Sequence, residues 1–164
     1  MIVLINYYFT PMIKLKKGFT LIELLVVIGI LAILLAITLI AINPARQFGQ
    51  ANNTRRRSDV LQILNAIHQY VAENKGQLPP ALRTLAADTT TELSTAGLNI
   101  CSDLMPNYIP ALPTEPSLAT PAITDCAAVA GYATGYTVTK DAQNRITVST
   151  VGAADNGETI TVTR

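Results

Sequence analysis

Lys16-Lys17-Gly18-Phe19-Thr20-Leu21-Ile22-Glu23-Leu24-Leu25-Val26-Val27-Ile28-Gly29-Ile30-Leu31-Ala32 opens the stretch whose reading decides the fold. The apolar run continues to Ile42, and 20 of the 24 residues from Phe19 to Ile42 are Ala, Val, Ile, Leu or Phe. As a helix the block reaches about 36 Å, enough to cross a hydrocarbon core of roughly 30 Å. Lys14, Lys16 and Lys17 precede it, and Arg46, Arg55, Arg56 and Arg57 follow it. Glu23 is the one charge inside. Outside the block about 43% of the 164-residue chain is hydrophobic, the composition of an ordinary globular domain. The length allows one modest domain, and a single span excludes a polytopic transporter. A net charge of +1 excludes a generally basic nucleic-acid binder.

Two plain readings of the block compete. A cleaved secretory signal has an apolar run of about 7–15 residues and a small-residue cleavage site behind it. This run is longer, carries an acid near its start, and meets Asn43-Pro44 without an Ala-x-Ala exit. A single-pass anchor fits the length but leaves Glu23 unexplained, because a carboxylate at membrane depth is costly and is usually paired or functional. The flanking charge does not decide topology, since lysines lead and arginines trail.

The stretch from Lys16 to Ala32 resembles the class III signal of type IV prepilins and pseudopilins. The resemblance lies in a basic leader, Gly, Phe, an acid four residues after the Phe, and an apolar helix. It is strongest over residues 14–42. It implies an α+β, pilin-like fold: a long N-terminal helix packed on a small antiparallel sheet of three strands. It also implies a leader at 1–18, a transmembrane and filament-core helix at 19–42, an amphipathic continuation at 43–75, and a globular head at 76–164. Cleavage by the prepilin peptidase is expected between Gly18 and Phe19, with N-methylation of Phe19, leaving 146 residues. The leader would lie in the cytoplasm and the head outside the cytoplasmic membrane, later in an extracellular or periplasmic filament. Implied partners are other pilin subunits, minor pilins among them, the prepilin peptidase, and an assembly platform with its motor ATPase. Glu23 is the expected assembly residue, since a neighbour's amine could compensate it. Such a partner-dependent pair sets register better than it adds stability. The apolar start Met1-Ile-Val-Leu-Ile-Asn-Tyr-Tyr-Phe9 departs from the family's short basic leaders, and Met12-Ile-Lys-Leu-Lys-Lys-Gly18 would be one, so Met12 is an alternative start. Pilins often carry a helix-kinking proline near the position of Ile40; here the proline is Pro44.

Beyond the block, Val60, Ile63, Leu64, Ile67 and Val71 form one helical apolar stripe. Asn74-Lys75-Gly76 ends the helix, with Gly76 suited to the left-handed position. Tyr70, Asn74, Gly76 and Pro79 also resemble the Tyr…Asn-Gly…Pro stretch of G-type major pseudopilins, with Lys75 intervening. Arg55-Arg56-Arg57 reads as a solvated or inter-subunit face, with a polyanion contact as the competing reading. His68, the single histidine, has no second ligand candidate nearby.

The head holds four basic and eight acidic side chains, which repels phosphates, and only three tyrosines, Tyr108, Tyr132 and Tyr136. No direct contact with nucleic acid is expected. Residues 79–125 read as a loop-rich crossover with one short helix. Tyr132–Thr139, Arg145–Val151 and Glu158–Thr163 alternate β-branched faces and predict three strands in a meander. Cys101 and Cys126 are expected to pair in an oxidising compartment, closing a 26-residue loop. Asp141, Asn144, Asp155 and Asn156 lie in the two meander turns. Some G-type pseudopilins bind calcium there, yet turns ordinarily hold the same residues, so no metal ligand, cofactor or catalytic residue is assigned.

The expected role is therefore structural, not enzymatic: a subunit of a type IV pilus-like filament. A type II secretion pseudopilin is the alternative. A membrane-anchored binding module that does not polymerise is the alternative of another class.

Overall fold

A computed structural model describes residues 18–41, 43–127, 131–151 and 157–164. The leader up to Lys17, Ile42, and Asp155 and Asn156 of the second meander turn lie outside the described residues. The chain divides into two compact units, Met1–Asn43 and Pro44–Arg164.

The first unit contributes one helix, α1, Leu21–Ala41. Its 21 residues reach about 31 Å, a bilayer core's thickness. Among the described residues, none of α1 is buried. A helix that is apolar on nearly every side and has no buried residue suits lipid or neighbouring helices. Asn43 is non-helical, and Pro44 opens the next helix. Proline is well placed in a first turn, where its missing N–H would have no intrahelical partner.

In the second unit, α2 (Pro44–Glu73) lays one face on the head. Val60, Ile63, Leu64 and Ile67 are buried in the core, while Val71, at the end of the stripe, is half-buried. The helix ends through Lys75 (φ 56°) and Gly76 (φ 83°), both left-handed. The Gly76 N–H donates to Val71 O at 2.8 Å, a Schellman-type closure that puts Lys75, not glycine, at the first left-handed position.

The crossover contains α3 (Pro80–Thr84), the strand β1 (Thr89–Ser94), α4 (Cys101–Leu104) and a 3-10 turn at Pro116–Leu118. Three more strands follow: β2 (Ala133–Lys140), β3 (Ile146–Thr150) and β4 (Thr161–Thr163). The α+β pilin-like class holds, but the sheet has four strands, not three, in the antiparallel order β1-β2-β3-β4. The added strand is β1. Its Thr-Thr-Thr-Glu-Leu-Ser sequence has little apolar alternation, so it acquires strand identity by pairing with β2.

Alternation is clear elsewhere. Tyr136, Val138, Ile146 and Val148 face the core beneath α2 and are buried. The opposite face is hydroxylated, with cross-strand pairs Thr90–Thr139 (2.9 Å), Thr137–Ser149 (2.8 Å) and Thr147–Thr163 (2.8 Å). Threonine supplies β-branched geometry there without exposing much apolar surface.

Candidate functional site

Two places concentrate polar chemistry: the start of α1 and the buried seam between α2 and the head.

At the start of α1, Gly18, Phe19 and Thr20 are exposed and lie outside the helix. Phe19 is 91% exposed, and no described residue lies within 4 Å of a Cβ placed on Gly18. A protease needs backbone that is accessible and not locked in a helix, and these residues meet that condition. Thr20 occupies the N-cap. Its Oγ1 accepts from the Glu23 N–H at 3.2 Å. In return, a Glu23 carboxylate oxygen accepts from the Thr20 N–H and the Thr20 hydroxyl, each at 2.8 Å. This reciprocal capping box satisfies helix N–H groups that have no intrahelical partner. Glu23 is thus not an isolated acid in an apolar run, because its own chain supplies donors. The signal for the box in the sequence is the Thr-x-x-Glu spacing at 20–23.

In the second unit the arginine triplet does not form one solvated face. Arg56 is buried and ion-paired to Glu115, and its Nη1 donates to Asn53 Oδ1 at 2.7 Å. Arg57 pairs with Glu158, which also accepts from Asn53 Nδ2 at 3.0 Å. Arg55 approaches Asp59 at 3.8 Å. Successive helix positions point about 100° apart, so three adjacent arginines meet three different environments. Buried Tyr136 donates to Asp59 Oδ2 at 2.8 Å. Burial pushes the Asp59 carboxyl above its usual range, against the opposing pull of Tyr136 and Arg55. Burial, reinforced by Asp59, pushes the Tyr136 phenol well above its usual value. Glu115 also accepts from the Ser117 N–H at 2.9 Å and caps the 3-10 turn. The cluster holds the turn, β2 and α2 together.

Cys101 and Cys126 are joined by a disulfide with Cα atoms 5.7 Å apart, tying α4 to the loop after Ile123. Asn74 Nδ2 donates to Tyr70 O at 2.8 Å, and the Tyr70 and Tyr108 rings meet edge to face at 5.6 Å. Asp141 turns inward to its own loop, accepting from the Gln143 N–H, the Arg145 N–H and Arg145 Nε at 2.9, 2.8 and 2.6 Å. Among the described residues no group of three or more His, Cys, Asp or Glu could hold a metal ion. His68 Nε2 is buried and has no hydrogen-bond partner among the described residues.

Residues 13–39 match the family model of the prokaryotic N-terminal methylation motif, which is typical of type IV pilins and pseudopilins. No curated protein and no solved structure matches the chain. The motif and the apolar helix that makes up most of it are consistent with membrane anchoring.

Proposed function

We propose that this chain is the precursor of a structural subunit of a type IV pilus-like filament. The observation that carries the reading is the methylation motif ending in α1, preceded by an exposed, non-helical Gly18–Phe19. In this reading the prepilin peptidase adds water across the Gly18–Phe19 amide. The carboxylate leaves with the leader, and the amine stays on Phe19 and is N-methylated. The leader side is cytoplasmic and the head lies across the membrane. Subunits then leave the membrane for the filament, their α1 helices exchanging lipid for one another. The support for that exchange is that all the residues of α1 are exposed and nearly all are apolar. An assembly platform and motor ATPase supply the work.

A pseudopilin of a type II secretion system is the second reading. Its support is the resemblance of Tyr70, Asn74, Gly76 and Pro79 to the Tyr…Asn-Gly…Pro stretch of G-type major pseudopilins. Co-expression with a prepilin peptidase, followed by mass spectrometry of the N-terminus and electron microscopy of sheared filaments, tests the proposal. A mature N-terminus at N-methyl-Phe19 in fibres supports it. Uncut monomer that stays in membranes overturns it.

A further inference from the structure

The capping box has a consequence for the amine that processing would create. Glu23 Oε2 lies 2.8 Å from the Thr20 nitrogen in the uncut chain. Only the Phe19 Cα and carbonyl carbon separate that nitrogen from the Phe19 nitrogen, so covalent geometry keeps the latter within about 7 Å of Oε2. An unclamped glutamate could instead swing along the helix or outward, since its side chain has several rotamers. We propose that Thr20 is a positioning residue for Glu23, clamping its carboxylate at the N-terminal end of α1 beside the nitrogen that becomes the Phe19 amine. This rests on the reading that cleavage falls at Gly18–Phe19. The clamp itself already exists before cleavage.

Two properties of the box carry the argument. Thr20 engages Glu23 with three polar contacts, using its backbone N–H, its hydroxyl as donor and its hydroxyl as acceptor. The carboxylate therefore keeps donors at the edge of an apolar helix in a single chain, before any neighbour is present. The position also asks for hydrogen-bonding capacity rather than shape. Valine has nearly threonine's shape and no hydroxyl, whereas serine and asparagine differ in shape and are strong N-caps.

The test uses the full chain with Thr20→Val, Thr20→Ala, Thr20→Ser and Thr20→Asn. In the uncut protein in detergent micelles, amide hydrogen exchange is read at Glu23. Val and Ala are expected to speed exchange about fivefold, while Ser and Asn stay near the parent. Equal exchange in Thr20→Val and the parent overturns the clamp. With the peptidase present, filament yield is expected to fall in Val and Ala and to be restored by Ser and Asn. Cut Thr20→Val that assembles as well as the parent overturns the positioning role. If the peptidase leaves the parent uncut, the processing reading fails, and the exchange measurement still decides whether the clamp exists.

Discussion

Arg56 on α2 and Glu115 at the start of the 3-10 turn form a buried ion pair, with side chains only 5% and 8% exposed. Residues 59 positions apart in sequence thus meet in the interior, and each is satisfied further, Arg56 by Asn53 and Glu115 by Ser117. Removing one partner of such a pair strands a buried charge, whereas replacing both with apolar groups is often neutral. Glu115→Ala is expected to destabilise the head by about 3–5 kcal/mol. Arg56→Met with Glu115→Leu is expected to recover most of that loss. Denaturation of the full chain in detergent, followed by tyrosine fluorescence, reads both. Equal losses in the single and double variants would count against the pairing.

Gly135 carries the turn against the sheet. Its φ is +74°, and an added Cβ would lie 2.6 Å from Glu115 Cβ and 3.0 Å from Leu118 Cδ1. Both the backbone and the space forbid a larger residue. Gly135→Ala is expected to destabilise by more than about 1 kcal/mol. The same denaturation assay checks it, and an unchanged midpoint contradicts the close approach.

Asp59 and Asp141 predict opposite pH slopes. Burial raises the folded-state pKa of Asp59 above its ordinary 3.8. The folded protein therefore holds that proton more tightly, and the stability linked to Asp59 falls as pH rises from 3.8 through the folded value. Desolvation works against ionisation of Asp141 as well, but the N–H groups of Arg145 and Gln143 and the Arg145 charge outweigh it and lower its pKa. Its contribution is present above 3.8 and is lost as pH falls through the lowered value. Asp59→Asn should remove the first slope and Asp141→Asn the second, in denaturation curves taken between pH 2 and 6. Variants whose curves stay parallel to the parent would refute the assignment.

The Cys101–Cys126 disulfide closes a loop with a sequence separation of 25. On a chain-entropy account such a bridge stabilises by roughly 3 kcal/mol. Reduction, or Cys126→Ser, is expected to lower the denaturation midpoint accordingly. Two thiols reacting with maleimide in the native, unreduced protein from an oxidising compartment would refute the bridge.

Glu23→Val tests the role proposed for the acid. Valine fits an apolar helix at least as well, so membrane insertion should be intact. Filament assembly is expected to be abolished, as read by sheared-fibre yield. Normal filaments from this variant would remove Glu23 from the assembly proposal.

The elements legible in the sequence are those with a local periodicity. The apolar block becomes α1, the stripe from Val60 to Ile67 becomes the core face of α2, and the alternation after Tyr132 becomes β2, β3 and β4. The Thr20-x-x-Glu23 box has an equally local signal, a cap spanning three residues, but the expectation read from the sequence assigns Glu23 only to a neighbour's amine. The features that escaped depend on partners distant in the chain. Thr89–Ser94 lacks an apolar period and is a strand because β2 lies beside it. Arg56 looks like its neighbours Arg55 and Arg57 until folding brings Glu115 to it and Glu158 to Arg57.

By itself, then, the sequence determined the membrane-length helix, the motif at its head and the alternating strands, because solvent exclusion acts on periods of two and 3.6 residues. Only the tertiary structure decided the fourth strand and the division of the arginines, because pairing a backbone edge or a buried charge requires a partner that local order does not specify.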